Sequence, residues 1–148
     1  MSLNIRRALL PGPITYADLF ELQPFGNNIV RLSIPGRELK RVLEHSLLGG
    51  APNAHVSGLK VRYDPTRPVG DQVVEVRQLN GARIDPRRLY VLALTDFMAG
   101  GGGGYTMLRQ YRQTRTGKTD LEAMIAWLRR LPQPIRAPVG KRWIAVTK

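Results

Sequence analysis

Ile29-Val30-Arg31-Leu32-Ser33-Ile34-Pro35-Gly36-Arg37-Glu38-Leu39-Lys40-Arg41-Val42-Leu43-Glu44-His45-Ser46-Leu47-Leu48 changes its hydrophobic period halfway along. Up to Ile34 apolar and polar residues alternate, the pattern of a half-buried strand. Beyond Pro35-Gly36, Leu39, Val42, Leu43, Ser46 and Leu47 recur at helical spacing, and Gly49-Gly50 follows as a stop. A strand therefore turns directly into a helix of about 37–48.

Upstream, Thr15 reads as an N-cap with Asp18 three residues on, opening a short helix over Tyr16–Leu22. Pro24-Phe25-Gly26-Asn27 is a turn. Residues 1–13 are irregular, because Pro11-Gly12-Pro13 breaks any regular element, and Met1-Ser2-Leu3 reads as a cloning leader. Downstream, residues 51–57 form a loop and Leu59–Tyr63 alternates as a strand that ends at Asp64-Pro65. Gln72–Leu79 is a further strand. Asn80-Gly81 turns it into a hairpin whose arm Ala82–Ile84 returns antiparallel. Leu89–Leu94 is nearly all apolar, which predicts a central strand buried on both faces. Asp120 is placed as the cap of a helix over 121–131 that Pro132 and Pro134 end, and Trp143–Val146 as a last strand. Strands and helices mixed with a hairpin make the class α+β, a mixed β-sheet with helices, in one domain.

Composition bounds the chemistry. The 148 residues suffice to bury roughly 70% of the unfolded chain's surface. With 43% hydrophobic residues the chain reads as globular, no apolar run has the length of a membrane span, and no charged-then-apolar leader with a small-residue cleavage site reads as a signal peptide. There is no cysteine, so disulfides, thiolate nucleophiles and zinc ribbons are excluded. His45 and His55 are the only histidines. Neither has a partner at metal-ligand spacing, and both read as structural or solvated. No catalytic group and no metal site is assigned to this chain. If it belongs to an enzyme, the bond-breaking groups lie elsewhere.

The net charge is +12, and most of the 23 basic residues are arginine. That excess attracts polyanions, but it is spread along the chain without a basic tail. Two loops place an aromatic beside glycine at the end of a regular element: Pro24-Phe25-Gly26-Asn27, and Phe97-Met98-Ala99 with Gly100–Gly104 and Tyr105. Two such rings facing each other would make a slot for a flat ligand. The alternative is that both are hydrophobic plugs under loops. The five glycines match neither a P-loop nor a dinucleotide fingerprint, and read as a flexible loop or a close backbone approach.

These segments together resemble the 5′-nucleotidase C-terminal domain. The likeness runs in order through Ile5-Arg6, Gly12–Leu19, Pro24-Phe25-Gly26-Asn27, Gly36-Arg37-Glu38-Leu39, Val56-Ser57-Gly58-Leu59, and Tyr90-Val91 through Thr95-Asp96-Phe97-Met98-Ala99 to Tyr105. The resemblance implies that residues 4–148 are the substrate-binding domain of a bacterial phosphoester hydrolase of the nucleotidase, nucleotide-sugar hydrolase and cyclic-nucleotide phosphodiesterase type. It implies an N-terminal metallophosphatase domain outside this chain, which holds two divalent metal ions and the catalytic groups. The isolated domain would then be inactive. By the same resemblance Phe25 and Phe97 sandwich the base, Asn27 and the Gly58 backbone bond its edge, and Arg6 meets phosphate or ribose. The implied ligand is a nucleotide or nucleoside phosphate, and the implied location is periplasmic or secreted. One position departs from the family: Gly103 stands where an aspartate usually accepts from ribose hydroxyls. Two other readings compete. A basic nucleic-acid-binding module, disfavoured by the resemblance, would bind longer oligonucleotides more tightly. A scaffold domain with a degenerate pocket would bind no nucleoside at all.

Overall fold

In the computed structural model, residues 5–137 and 139–146 are described. The proposed leader, Met1-Ser2-Leu3, and Asn4 lie outside the described residues. Helix α1 (Tyr16–Leu22) leads into β1 (Asn28–Pro35) and α2 (Gly36–His45). Then come β2 (Leu59–Tyr63), β3 (Val73–Gln78), β4 (Leu89–Thr95) and the single turn α3 (Asp96–Ala99). Two 3-10 turns, β5 (Thr114–Thr119), α4 (Asp120–Leu128) and β6 (Trp143–Ala145) complete the chain.

The α+β class stands, and the strands divide into two three-stranded sheets. One is antiparallel in the order β4-β1-β5. The other, β3-β2-β6, is mixed, because β6 runs parallel to β2. Alternation along β1 decides its faces: Val30, Leu32 and Ile34 are buried while Arg31 and Ser33 point outward. Leu39, Val42, Leu43 and Leu47, on or just beyond α2, join those β1 residues and Val61 and Val73 of the second sheet in one core cluster. Each fully buried aliphatic side chain contributes about 1.5–3 kcal/mol. Buried Glu44 strengthens the same junction. Its carboxylate accepts from the backbone N–H of Gln72 at 2.9 Å and of Val73 at 2.8 Å, tying α2 to the second sheet.

Several boundaries differ from the sequence expectation. Strand β4 is not a central strand buried on both faces but the edge of its sheet. It pairs with β1 alone, and Leu89 and Val91 are 63% and 70% exposed. Its apolar run misleads because only Leu92, Leu94 and, in part, Tyr90 pack inward. Strand β5, Thr-Arg-Thr-Gly-Lys-Thr, carries no apolar residue and only its β-branched threonines favour a strand; pairing with β1 defines it. The hairpin arm after Asn80-Gly81 returns only as an isolated bridge between Arg77 and Arg83. Helix α2 ends at His45 and continues as turns to Gly49, and α4 ends at Leu128. The cap of α4 is Thr119, not Asp120: Thr119 and Glu122 form the capping box, and the Asp120 side chain is used elsewhere. The Thr15 cap and helix α1 form as expected, with Asp18 completing that capping box. Among the described residues, no helix is long and apolar enough to cross a membrane.

Candidate functional site

Strands β1 and β4 are antiparallel, with Ile29 opposite Thr95, so the start of β1 and the end of β4 share one end of the sheet. The Phe25 turn precedes β1 and Phe97 follows β4, which brings the two aromatic loops to that same end. Asp96 fastens them. Its carboxylate accepts from the Asn28 backbone N–H at 3.1 Å and from the Asn28 side-chain amide at 2.8 Å. The third strand ends there too, since Asn28 pairs with Thr119. Asp120 follows, and its Oδ2 accepts from Asn27 Nδ2 at 3.1 Å and Gln23 Nε2 at 3.2 Å. The Asp120 N–H donates to the Asn27 carbonyl at 2.8 Å.

Phe25 is 39% exposed and Phe97 50% exposed, so neither ring is a buried plug. Each has one flank occupied. The Arg6 guanidinium lies over the Phe25 ring, 5.2 Å from its centroid, a cation–π arrangement. The Arg6 backbone N–H also donates to Leu22 O at 2.9 Å, which ties the opening segment to the end of α1. Phe97 lies against Gly102, where a Cβ would come within 2.5 Å of the ring. The two phenylalanine rings make no ring contact with each other.

The glycine run is held rather than free. The His45 Nε2–H donates to the Gly103 carbonyl at 2.8 Å, and its ring stands edge-on to Tyr105, 4.3 Å between centroids. Arg109 Nε donates to Gly100 O at 2.9 Å. Tyr105, fully buried, shares a hydrogen bond with Ser46 Oγ at 3.0 Å and donates to Asn53 Oδ1 at 3.2 Å. Burial pushes the Tyr105 hydroxyl above its ordinary pKa, against the opposing hydrogen bond from Ser46. Close approach, not flexibility, explains the glycines: a side chain at 101 would meet the Arg109 guanidinium, and one at 104 would meet the His45 ring at 2.8 Å.

Arg6, Phe25, Asn27 and Phe97 therefore gather at one end of the first sheet. Gly58 stands ahead of β2 in the second sheet, left-handed at φ 80° and with open space where a side chain would be. Its loop is tied to the segment after the glycine run, through Asn53 and Tyr105, and not to Arg6, Phe25, Asn27 or Phe97 directly. His55 is exposed in that loop. Sequence reasoning missed Asp96 as the fastening residue, Asp120 as the anchor of Asn27, and His45 and Arg109 as supports. Only the antiparallel register of β1 and β4 could have pointed to Asp96 and Asn28. Nothing local marks the other three. Among the described residues, no three or more His, Cys, Asp or Glu side chains are grouped to hold a metal ion.

The family described as 5′-nucleotidase, C-terminal domain, matches residues 1–110. A crystal structure of a 5′-nucleotidase precursor from Thermus thermophilus superposes with a TM-score of 0.88. It is 31% identical over 97% of this chain and 30% of its own. A probable 5′-nucleotidase of Treponema pallidum is 35% identical, covering 84% of this chain and 23% of that protein. The endonuclease YhcR of Bacillus subtilis is 32% identical over 89% of this chain and 11% of its own length. The chain thus spans about a quarter or less of the curated relatives it matches.

Proposed function

We propose that this chain, which belongs to the 5′-nucleotidase C-terminal domain family, holds the base of a nucleotide or nucleoside phosphate for a 5′-nucleotidase-type hydrolase. Phe25 and Phe97 take the two faces of the base. The observation that carries this reading is the pair of half-exposed rings on two loops that Asp96 fastens to one end of the β1–β4 pair. Each stacking contact is worth about 1–3 kcal/mol. The Asn27 amide is oriented by Asp120, which leaves its carbonyl oxygen to accept from the base edge, with the Gly58 backbone as a second contact. Arg6, parked on Phe25, brings its planar fork to phosphate or ribose. Gly103 offers no carboxylate to the ribose, so affinity rests on the base.

Hydrolysis belongs, in this reading, to an N-terminal metallophosphatase domain outside residues 4–148, whose two divalent ions supply Lewis-acid chemistry and an activated water. The residues described here do not group as a metal site, and their part is to bind and orient the substrate. The isolated chain is accordingly expected not to hydrolyse phosphoesters. The whole protein would act in nucleotide catabolism, in the periplasm or secreted.

Titration of adenosine and uridine into the wild-type chain and Phe97→Ala tests this. Weak mononucleoside binding that falls about tenfold or more in the variant is expected, given the stacking energy. Affinity that grows steeply with oligonucleotide length and collapses with salt would instead mark a nucleic-acid-binding module. No nucleoside binding at all would mark a scaffold.

A further inference from the structure

The opposite end of β1 carries a cavity that the base slot does not use. It is an open cleft with a volume of about 570 Å³, lined by α2, β2, β3 and the arm after the Asn80-Gly81 turn. Phe25 and Phe97 lie beyond the Asn28 end of β1, whereas the cavity opens beside Gly36, past Pro35. The eight residues of strand between them span roughly 25 Å. The α2 wall is tight, because a side chain at Gly36 would collide with the Asp85 carbonyl and Ile84.

Two properties of this cavity point to a ligand class. Its floor is aliphatic, built from Leu39, Val74, Val76, Ile84 and Val146, and no aromatic ring lines it. It is therefore unsuited to stacking a base. Its rim is cationic: Arg37, Lys40, Arg62 and Arg83 all line it. Lys40 already faces Asp71 at 3.5 Å and Glu44 at 3.9 Å. The arginines are not neutralised in the same way. Arg77 at 2.8 Å, Arg83 at 2.9 Å and Arg62 at 3.9 Å all converge on the one carboxylate of Glu75. Those contacts, led by the Arg77 hydrogen bond, hold the Glu75 carboxyl below its ordinary pKa, so it remains charged. Three guanidiniums on one carboxylate, with Arg37 beside them, leave uncompensated positive charge over an apolar floor.

We propose that this cavity binds an aliphatic chain that carries an anionic head, carboxylate or phosphate, its head on Arg83 and Arg62 and its chain along Val74, Val76 and Ile84. The volume lies within the range of about 300–1,000 Å³ usual for small-molecule sites. Arginine forks suit carboxylate and phosphate alike.

Calorimetric titration of the whole chain with decanoate, decanol, decyl phosphate and acetate, all below their micellar concentrations, tests the site. Decanoate and decyl phosphate should both bind more tightly than decanol and acetate, and their ratio reports which head the site prefers. Arg83→Gln, at a side chain 75% exposed, should weaken decanoate about threefold, the usual loss for one exposed ion pair. Val74→Glu, at a position 48% exposed, should weaken it as well by placing a second carboxylate on the floor. Saturating adenosine should leave decanoate affinity unchanged, which separates this site from the base slot whether or not that slot binds. Decanol binding as tightly as decanoate would reduce the cavity to a greasy surface. Acetate equalling decanoate would reduce it to a basic patch. Decanoate affinity indifferent to Arg83→Gln and Val74→Glu would overturn the assignment.

Discussion

Gly26 and Gly101 both hold the left-handed region, at φ 61° and 92°, each in a loop that carries one of the two phenylalanines. A side chain on Gly26 would meet open space, whereas one on Gly101 would run into the Arg109 guanidinium. The Phe25 loop is thus shaped mainly by its own short turn and anchored at one end by Asp120. The Phe97 loop is shaped by side chains from distant segments: His45 from α2, Arg109 from beyond the glycines, and Asn53 through Tyr105. Glycine serves conformation alone in the first loop, and conformation together with close approach in the second. A rigid platform can be made from five consecutive glycines when neighbours supply the contacts that the glycines lack.

The two loops share Asp96, and removing it should give the largest effect. Asp96→Ala leaves the Asn28 N–H and side-chain amide without their charged acceptor. It should destabilise the chain by about 3 kcal/mol in urea unfolding and shift the ring resonances of both Phe25 and Phe97. Asp120→Ala should shift Phe25 and leave Phe97 in place; equal shifts in both rings would erase the distinction between the loops. Gly101→Ala comes next, at about 2 kcal/mol for left-handed strain and the displaced Arg109 contact, against about 1 kcal/mol for Gly26→Ala, where strain acts alone. Equal losses would mean that Arg109 contributes nothing to the platform.

The smallest effect concerns Tyr105. Its hydroxyl is held protonated by burial, above the ordinary value of 10.0. The fold therefore favours the protonated form. That contribution is fully present below about pH 10 and is lost as pH rises through the folded value. Tyr105→Phe should be slightly less stable at pH 7, because Ser46 and Asn53 lose a partner, and should show a shallower alkaline decline in unfolding midpoint. An unchanged alkaline slope would place the titrating group elsewhere.

What was legible in the sequence follows the same division. The Thr15 cap, the alternation of β1, the switch to helical spacing at Gly36 and the turn at Asn80-Gly81 are local signals, and each appears in the fold. Phe25, Asn27 and Phe97 could be picked out because they sit in ordered motifs beside glycine. Strand β5 could not, since its polar residues become a strand only by pairing with β1. The edge position of β4 was equally hidden, because an apolar run records composition and not the number of neighbours. His45 reads as structural or solvated; the sequence does not show that its structural role is to close on Gly103, 58 positions away. The supports of the Phe97 platform come from three separate segments, and no short pattern joins them.

The base slot itself is most directly tested by intermolecular nuclear Overhauser effects between adenosine and the chain with its phenylalanine rings selectively labelled. Cross-peaks from the adenine H2 and H8 protons to the rings of both Phe25 and Phe97 are predicted. Cross-peaks to one ring only, or to neither while adenosine is bound, would contradict the account.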